Sequence, residues 1–267
     1  MHSLLSVRNV NKSFGALKAV QGISLDVPVA VVTAVVGPNG AGKTTLFNCI
    51  SGIAQPDQAE ILLHPPDRSE QIAIARLDVE QISRLGIART FQQVRLFDSL
   101  CVIDNVVLGG LQRQRISWGV ALADRLLAGS RRHRQLREEA MPYLKRVGLE
   151  GLALQLAGSL DHGNRRRIEI ARALASQPLV LLLDEPAAGM NRIETDALKD
   201  LLKGLCIGGM AVLLIEHDMK LVMEVSNYVY VMDHGELISS GRPEQVTADS
   251  RVIEAYLGSR GGHHAAG

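Results

Sequence analysis

Residues 30–45 read AVVTAVVGPNGAGKTT, an apolar run that ends in a glycine-rich loop and a lysine followed by two threonines. The run predicts a strand buried on both faces, and KTTLFNCISGI (43–53) predicts a helix stopped by Gly52. Between them, Gly37 to Thr44 follow the spacing G-x-x-x-x-G-K-[ST]. Glycines let the backbone wrap an anion with its N–H groups, and the helix N-terminus adds its positive end. The stretch Gly37, Pro38, Asn39, Gly40, Ala41, Gly42, Lys43, Thr44 and Thr45 is therefore the candidate loop for a nucleotide's phosphates. Lys43 would reach the β- and γ-phosphates, and the Thr44 hydroxyl would ligate Mg²⁺. A glycine-rich turn with a chance lysine would lack the flanking strand and helix.

A second apolar run, LVLLLDEP (179–186), ends in two acids. A carboxylate closing such a strand is costly unless it serves a cation, which makes Asp184 a candidate for the Mg²⁺ of a bound nucleotide. Glu185, one residue on and pointing the other way, is a candidate general base for an attacking water. The plainer reading, an acid pair capping the next helix, would leave Lys43 without its counterpart.

The rest of the chain fits this chemistry. A length of 267 residues suits one large domain or two modest ones. The net charge of +1 argues against a dedicated nucleic-acid binder. Three widely spaced cysteines form no CxxC pair, so neither a disulfide framework nor a zinc site is expected. MHSLLSVRNV (1–10) lacks the pattern of a signal peptide, and no apolar stretch approaches the roughly 20 residues that span a bilayer. A soluble protein is expected, meeting a membrane only through partners.

Strands alternating with helices predict an α/β fold with a parallel sheet. LLSVRNVNKSFG (4–15) and AVQGISLDV (19–27) read as short strands broken by turn residues, and AEILLHPPD (59–67) as a strand closed by prolines. From about Val94 to Ser159, VIDNVVLGGLQRQR, WGVALADRLLAGS and LREEAMPYLKRVGL have helical periodicity, suggesting an inserted helical subdomain. The expected division is 1–93 for an antiparallel β portion plus the first half of the core, 94–159 for the helical subdomain and 160–246 for the second half. A C-terminal helix over 247–258 and a disordered tail over 259–267 would follow. In the second half, RRRIEIARALAS (165–176) and DALKDLLKGL (196–205) predict helices, MAVLLIEH (210–217) a strand, and VSNYVYVMDHGELISSG (225–241) a hairpin turning at DHG. The basic run RRHRQLRE (131–138) reads as a solvated helix face rather than a surface for lipid or nucleic acid.

In order along the chain, GPNGAGKTT, RTFQQ (89–93), LDHGNRRRIEIARAL (160–174), LVLLLDEPAAGMN (179–191) and LLIEHDM (213–219) resemble the motifs of the ATP-binding-cassette family over nearly the whole length. GIARTFQQVRLF (86–97), DEPAAGMN (184–191), IEHDM (215–219) and RVIEAYLG (251–258) look most like the ATPase subunit of branched-chain amino acid importers. The resemblance implies a P-loop NTPase (RecA-like) core with a small antiparallel β subdomain and an inserted helical subdomain. It implies ATP and Mg²⁺ as cofactors and turnover of ATP. It also implies a second cassette subunit, the same or different, transmembrane permease subunits, and indirectly a substrate-binding protein. The chain would sit on the cytoplasmic face of the inner membrane, with no nucleic-acid partner.

Residue by residue, the resemblance places Phe14 against adenine, the alternative being a core Phe closing the small sheet. Gln92 would contact Mg²⁺ and the attacking water, with Gln93 an alternative. His217 would contact the γ-phosphate and orient the water with Glu185. Asp161 and Gly163 fall in the signature segment, which covers the ATP of the other subunit in a head-to-tail pair. Asn191 stands where Asp or Asn is usual, and Arg192 where proline is common.

The signature departs most from the family pattern. It reads LDHGN rather than L-S-G-G-Q, so Asp161 replaces a serine that would donate to phosphate, and an ionised carboxylate cannot donate. Facing a phosphate at about 4 Å in an effective dielectric near 20, it would cost about 4 kcal/mol per contact. Either Asp161 turns away to pair with an arginine of 165–167, or the composite site that uses this segment is weak. Ala59, where glycine is usual, reads as a tolerated turn change. Related cassettes serve urea or amide import and lipopolysaccharide export. Cassettes acting on DNA or ribosomes usually carry coiled-coil insertions or tandem copies, which this chain lacks. A regulatory module that binds ATP without turnover is disfavoured by Lys43, Glu185 and His217.

Overall fold

The structure, a computed structural model, describes residues 3–111 and 131–261, with backbone alone for 257–261. The helix expected over WGVALADRLLAGS and the last six residues lie outside the described residues.

Two sheets organise the chain. The first runs β2-β1-β4-β5 and is antiparallel, from β1 (Ser3–Phe14), β2 (Leu17–Pro28), β4 (Gln58–Leu63) and β5 (Ile72–Ala73). Here β1 and β2 are single 12-residue strands, not short broken ones. The turn-forming residues are absorbed as irregularities: Asn9 and Gly22 take left-handed φ angles of 49° and 63°, and the β1–β2 register shifts around Val10. Asn and Gly tolerate that region, so a bulge bends the strand instead of ending it.

The second sheet runs β10-β9-β3-β8-β7-β6. Its members are β3 (Val32–Val36), β6 (Ile87–Arg89), β7 (Val180–Asp184), β8 (Ala211–Ile215), β9 (Tyr228–Asp233) and β10 (Glu236–Gly241). All neighbours pair in parallel except β10, which folds back on β9. Every residue of β3, β7 and β8 is buried, as their uninterrupted apolar runs require. The hairpin turns through His234 and Gly235 at φ 44° and 84°, the left-handed pair of a two-residue turn.

Helices cover both faces: α1 (Lys43–Ile50), α2 (Val79–Arg84), α3 (Val102–Gly110), α4 (Arg131–Arg146), α5 (His162–Ala175), α6 (Arg192–Ile207), α7 (Met219–Val225), α8 (Pro243–Thr247) and α9 (Ser250–Gly261). Phe47, Leu46 and Ile50 of α1 fill the space between the two sheets. On the other face α3 to α6 share a cluster with Leu181, Leu183 and Leu214. The basic run lies in α4, where Arg137 and His133 both reach Asp104 of α3, so part of it is tied inward. Three boundaries differ from expectation. Helix α5 begins at His162 instead of Arg165. Helix α9 begins at Ser250 and runs to Gly261, three residues into the expected tail, while Thr247 belongs to α8.

Candidate active site

The loop after β3 is pressed between two backbones. A side chain on Gly37 would place its Cβ 2.0 Å from the Met232 carbonyl oxygen of β9, and one on Gly42 would lie 2.1 Å from that of Ala19 in β2. Both also hold positive φ, so only glycine fits. The hairpin turn braces the loop from behind, Gly235 N–H donating to the Ala41 carbonyl at 3.1 Å. Lys43 opens α1, buried to 6% exposure, and donates to the Gly37 and Pro38 carbonyls at 2.8 Å each. Burial lowers its pKa, opposed by the nearby carboxylates of Glu185 and Asp184. The first-turn N–H groups of α1 have no partner within the helix, and Thr44 is exposed beside them. Loop and helix end thus form an anion cradle with a cation inside it.

Asp184 closes β7 next door with a side chain 1% exposed. Its Oδ2 accepts from Arg89 Nη2 at 3.0 Å, while Oδ1 is buried without a hydrogen-bond partner among the described residues. Burial raises its pKa, and Arg89 opposes the rise. Arg89 also donates to Asn48 Oδ1 (2.8 Å) and Ser51 Oγ (2.9 Å) of the α1 segment, and lies 5.5 Å from the ring centroids of Phe47 and Phe91. One guanidinium so ties the end of β6 to the phosphate helix and to Asp184.

Glu185 follows Asp184 directly, at φ 48°, a left-handed conformation that costs a non-glycine residue roughly 1–2 kcal/mol. Its carboxylate is reached from two sides. Gln92 Nε2 donates to Oε2 at 3.4 Å, and His217 Nδ1 lies 3.8 Å from Oε1. Gln92 is the glutamine of the pair that makes this contact. The imidazole is 58% exposed and open to a ligand. Two buried networks hold these groups. Arg166, fully buried in α5, donates to the carbonyls of Phe91, Asp184 (2.6 Å) and Glu185 (2.8 Å), and pairs with Glu169 at 2.8 Å. Glu169 in turn accepts from the Phe91 N–H at 3.3 Å. On the opposite side Glu216, 1% exposed, accepts from the N–H groups of Ala187 (3.0 Å) and His217 (3.2 Å).

Arg89, Arg166, Glu169 and Glu216 were not among the expected site residues. Their sequence signal is faint but physical: a charged residue inside an apolar pattern, RIEIARAL or VLLIEH, must have a partner once buried.

The signature segment behaves otherwise than expected. Because α5 starts at His162, Asp161 becomes its N-cap: Oδ1 accepts from Asn164 N–H at 2.8 Å and Oδ2 from Asn164 Nδ2 at 2.6 Å. The Asn164 N–H holds its carboxyl below the usual range. Asp161 does turn to its own helix, but no arginine makes an ion pair with it among the described residues. Arg165 goes to Asp98 (2.7 Å), Arg166 inward, and Arg167 to Asn164 Oδ1 at 2.5 Å. The expected pairing of Asp161 with one of these arginines is therefore corrected: helical spacing sends three successive residues in three directions. Gly163 is buried against Glu194 of α6, whose carboxylate would lie 2.3 Å from an added Cβ. Glu194 forms a capping box with Asn191, the N-cap of α6. Arg192, in the place of the usual proline, occupies the first helical position.

Phe14 ends β1 at 53% exposure, which removes the core alternative. Lys12 Nζ stands 5.3 Å from its ring centroid, steadied by Asp57, which also accepts from the Ser13 N–H at 2.6 Å. Ala59 lies within β4 and has no positive φ, so the change from glycine strains nothing.

A parallel sheet whose central strand feeds this glycine loop and lysine, with an acid-tipped strand two places away, defines a P-loop nucleotide-binding ATPase core. Comparison with known proteins narrows the class. Residues 20–188 match the family described as ABC transporter, and residues 236–261 match a second, the branched-chain amino acid ATP-binding cassette transporter. The chain is 41% identical to the high-affinity branched-chain amino acid transport ATP-binding protein LivG of Escherichia coli, over 96% of this chain and 98% of that one. It has the same identity and coverage to BraF of Pseudomonas aeruginosa, which carries the same description. Among solved structures it is similar to the ADP conformation of MJ1267, an ATP-binding cassette of an ABC transporter, with a TM-score of 0.83, 28% identity, and 97% and 100% of the two chains covered. The chain belongs to the ATP-binding-cassette transporter family. It is an ATPase of that family, and no helix among the described residues is long and apolar enough to cross a membrane.

Proposed function

We propose that the chain hydrolyses ATP to drive import of branched-chain amino acids, as one of two cassettes paired head to tail beneath transmembrane permease subunits that receive substrate from a binding protein. The identity to LivG and BraF along nearly the whole chain, and the separate match of residues 236–261, support the substrate class. The single observation that carries the chemistry is Glu185, held between Gln92 and His217 and one residue from a buried Asp184.

The loop N–H groups from Asn39 to Thr45 hold the phosphates, Lys43 pairs with the β/γ oxygens, and Phe14 stacks on adenine, a contact worth about 1–3 kcal/mol for a base on an aromatic ring. The unpartnered Oδ1 of Asp184, the Thr44 hydroxyl and the Gln92 side-chain oxygen are an all-oxygen set that suits Mg²⁺. Bound there, Mg²⁺ neutralises charge on the phosphates. Glu185 accepts the proton of the attacking water and His217 orients that water toward the γ-phosphate. Such positioning does most of the work in phosphoryl transfer. Gly163, the start of α5 and Asp161 are the half-site lent to the neighbouring cassette, with Asp161 kept from phosphate by Asn164. The chain acts at the cytoplasmic face of the inner membrane without nucleic acid. Reconstitution with its permeases and binding protein tests this: leucine uptake should require ATP and stop with Glu185→Gln. Uptake of an amide or urea in its place would overturn the substrate assignment.

A further inference from the structure

The loop that carries Glu185 and the loop that carries His217 follow neighbouring strands, β7 and β8, and neither loop is fixed by the strand pairing itself. Pairing ends at Asp184 opposite Ile215. Beyond it, Glu185 N–H still donates to the Ile215 carbonyl at 2.9 Å, and the chain then tightens into turns, Ala188 N–H to the Glu185 carbonyl and Met190 N–H to the Ala187 carbonyl. One side chain bridges the two loops. Glu216 puts Oε1 on the Ala187 N–H at 3.0 Å and Oε2 on the His217 N–H at 3.2 Å. Its carboxylate is 1% exposed and makes no hydrogen bond to the phosphate loop, Asp184 or Gln92. A buried carboxylate is costly unless its oxygens are satisfied, and here both are satisfied by backbone N–H groups of the two loops that hydrolysis has to align.

We infer that Glu216 is a positioning residue for ATP hydrolysis: it fixes the separation of Glu185 and His217 by clamping the backbones that carry them. The inference rests on the roles proposed for those two residues. Two features of the clamp give it consequences. Glu185 holds a left-handed φ two residues from the clamped Ala187 N–H. His217 Nδ1 lies 3.9 Å from Glu216 Oε2 as well as 3.8 Å from Glu185 Oε1, so one ring nitrogen is close to both the clamp and the base. Burial pushes the Glu216 carboxyl above its ordinary range, and the Ala187 N–H opposes that rise. A misplacement of about 1 Å in a reacting group can cost roughly 100-fold in rate, without touching the contacts that bind ATP.

The substitution Glu216→Gln keeps the shape but turns one acceptor into a donor that faces an N–H. In the full-length chain within its transporter assembly, kcat should fall about tenfold and Glu216→Ala about 100-fold. KM for MgATP and the nucleotide Kd should stay within twofold. In a double-mutant cycle, Glu216→Gln should cost little once His217 is already Ala, because the clamp then has one residue less to align. Three results would overturn the inference: an unchanged kcat, a loss of ATP affinity equal to the loss of rate, or losses in the cycle that simply multiply. Amide hydrogen exchange on the unaltered chain gives a readout that does not depend on the variants folding. The Ala187 and His217 N–H protons should both be protected, and fast exchange at either would also overturn it. The underlying reading fails separately, if Glu185→Gln leaves hydrolysis intact.

Discussion

The phosphate-loop end and the signature end of this chain serve the same reaction in the proposed pair, yet they are built to opposite specifications. At the first, Lys43, Asp184, Arg166, Glu169 and Glu216 are all buried, and each is bonded to backbone or to another of the set. At the second, Asp161 and His162 stand exposed, and Asp161 is bonded to Asn164 within its own helix. A site whose walls all come from one chain can be fixed in advance. A half-site that waits for another chain must keep its partners local and its surface open. The difference explains why an aspartate is tolerated in the signature: the repulsion of about 4 kcal/mol applies to a carboxylate facing phosphate, and an N-cap worth about 1 kcal/mol already holds this one against its own helix.

Substitutions should divide along this line. The largest effect belongs to the buried end: Glu185→Gln should lower the ATPase rate by at least about 100-fold while ATP still binds, measured by steady-state hydrolysis alongside nucleotide titration. Next, Arg166→Ala would strand Glu169 and release the carbonyls of Phe91, Asp184 and Glu185. Breaking a buried pair in this way costs about 3–5 kcal/mol, so calorimetry should show a Tm lowered by about 10 °C. Gly163→Ala should cost about 1 kcal/mol, because the new methyl displaces Glu194 from its cap on Asn191. Denaturant unfolding reads that loss, and an unchanged midpoint would show that Glu194 is dispensable.

The smallest effects belong to the exposed end. Asp161→Ala should lose about 1 kcal/mol and Asp161→Ser almost nothing, since serine can also cap. A large rise in ATPase rate with serine would mean that Asp161 faces phosphate after all. The cap also has a pH signature. The folded-state pKa of Asp161 is depressed, so its stabilisation is present at neutral pH and is lost as pH falls through that lowered value. The acid limb of the stability curve should shift in the wild type relative to Asp161→Ser.

What the sequence made legible follows the same division. The loop from Gly37 to Thr45 and the pair Asp184 and Glu185 could be named because each sits at a fixed offset from an apolar run, whereas Gln92 and His217 could be named only through the resemblance of RTFQQ and LLIEHDM to the family's motifs. The clamps could not. Arg166 and Glu169 look like the polar residues of an amphipathic helix, and only packing reveals that their side of α5 faces β7 and the Gln92 loop. Long β1 and β2 were hidden because Asn9 and Gly22 read equally well as turns or bulges. The destination of Asp161 depended on where α5 begins, and three residues of helix start moved it from the arginines to Asn164.

The claim on which the account turns is that the open half-site of one chain closes the buried half-site of another. With Glu185→Gln to stop turnover, one copy carrying Asn39→Cys and a second carrying His162→Cys can be mixed and oxidised with and without MgATP. The account predicts a disulfide-linked pair that forms with MgATP and is absent without it. A pair that forms equally without nucleotide, or none in its presence, would contradict it.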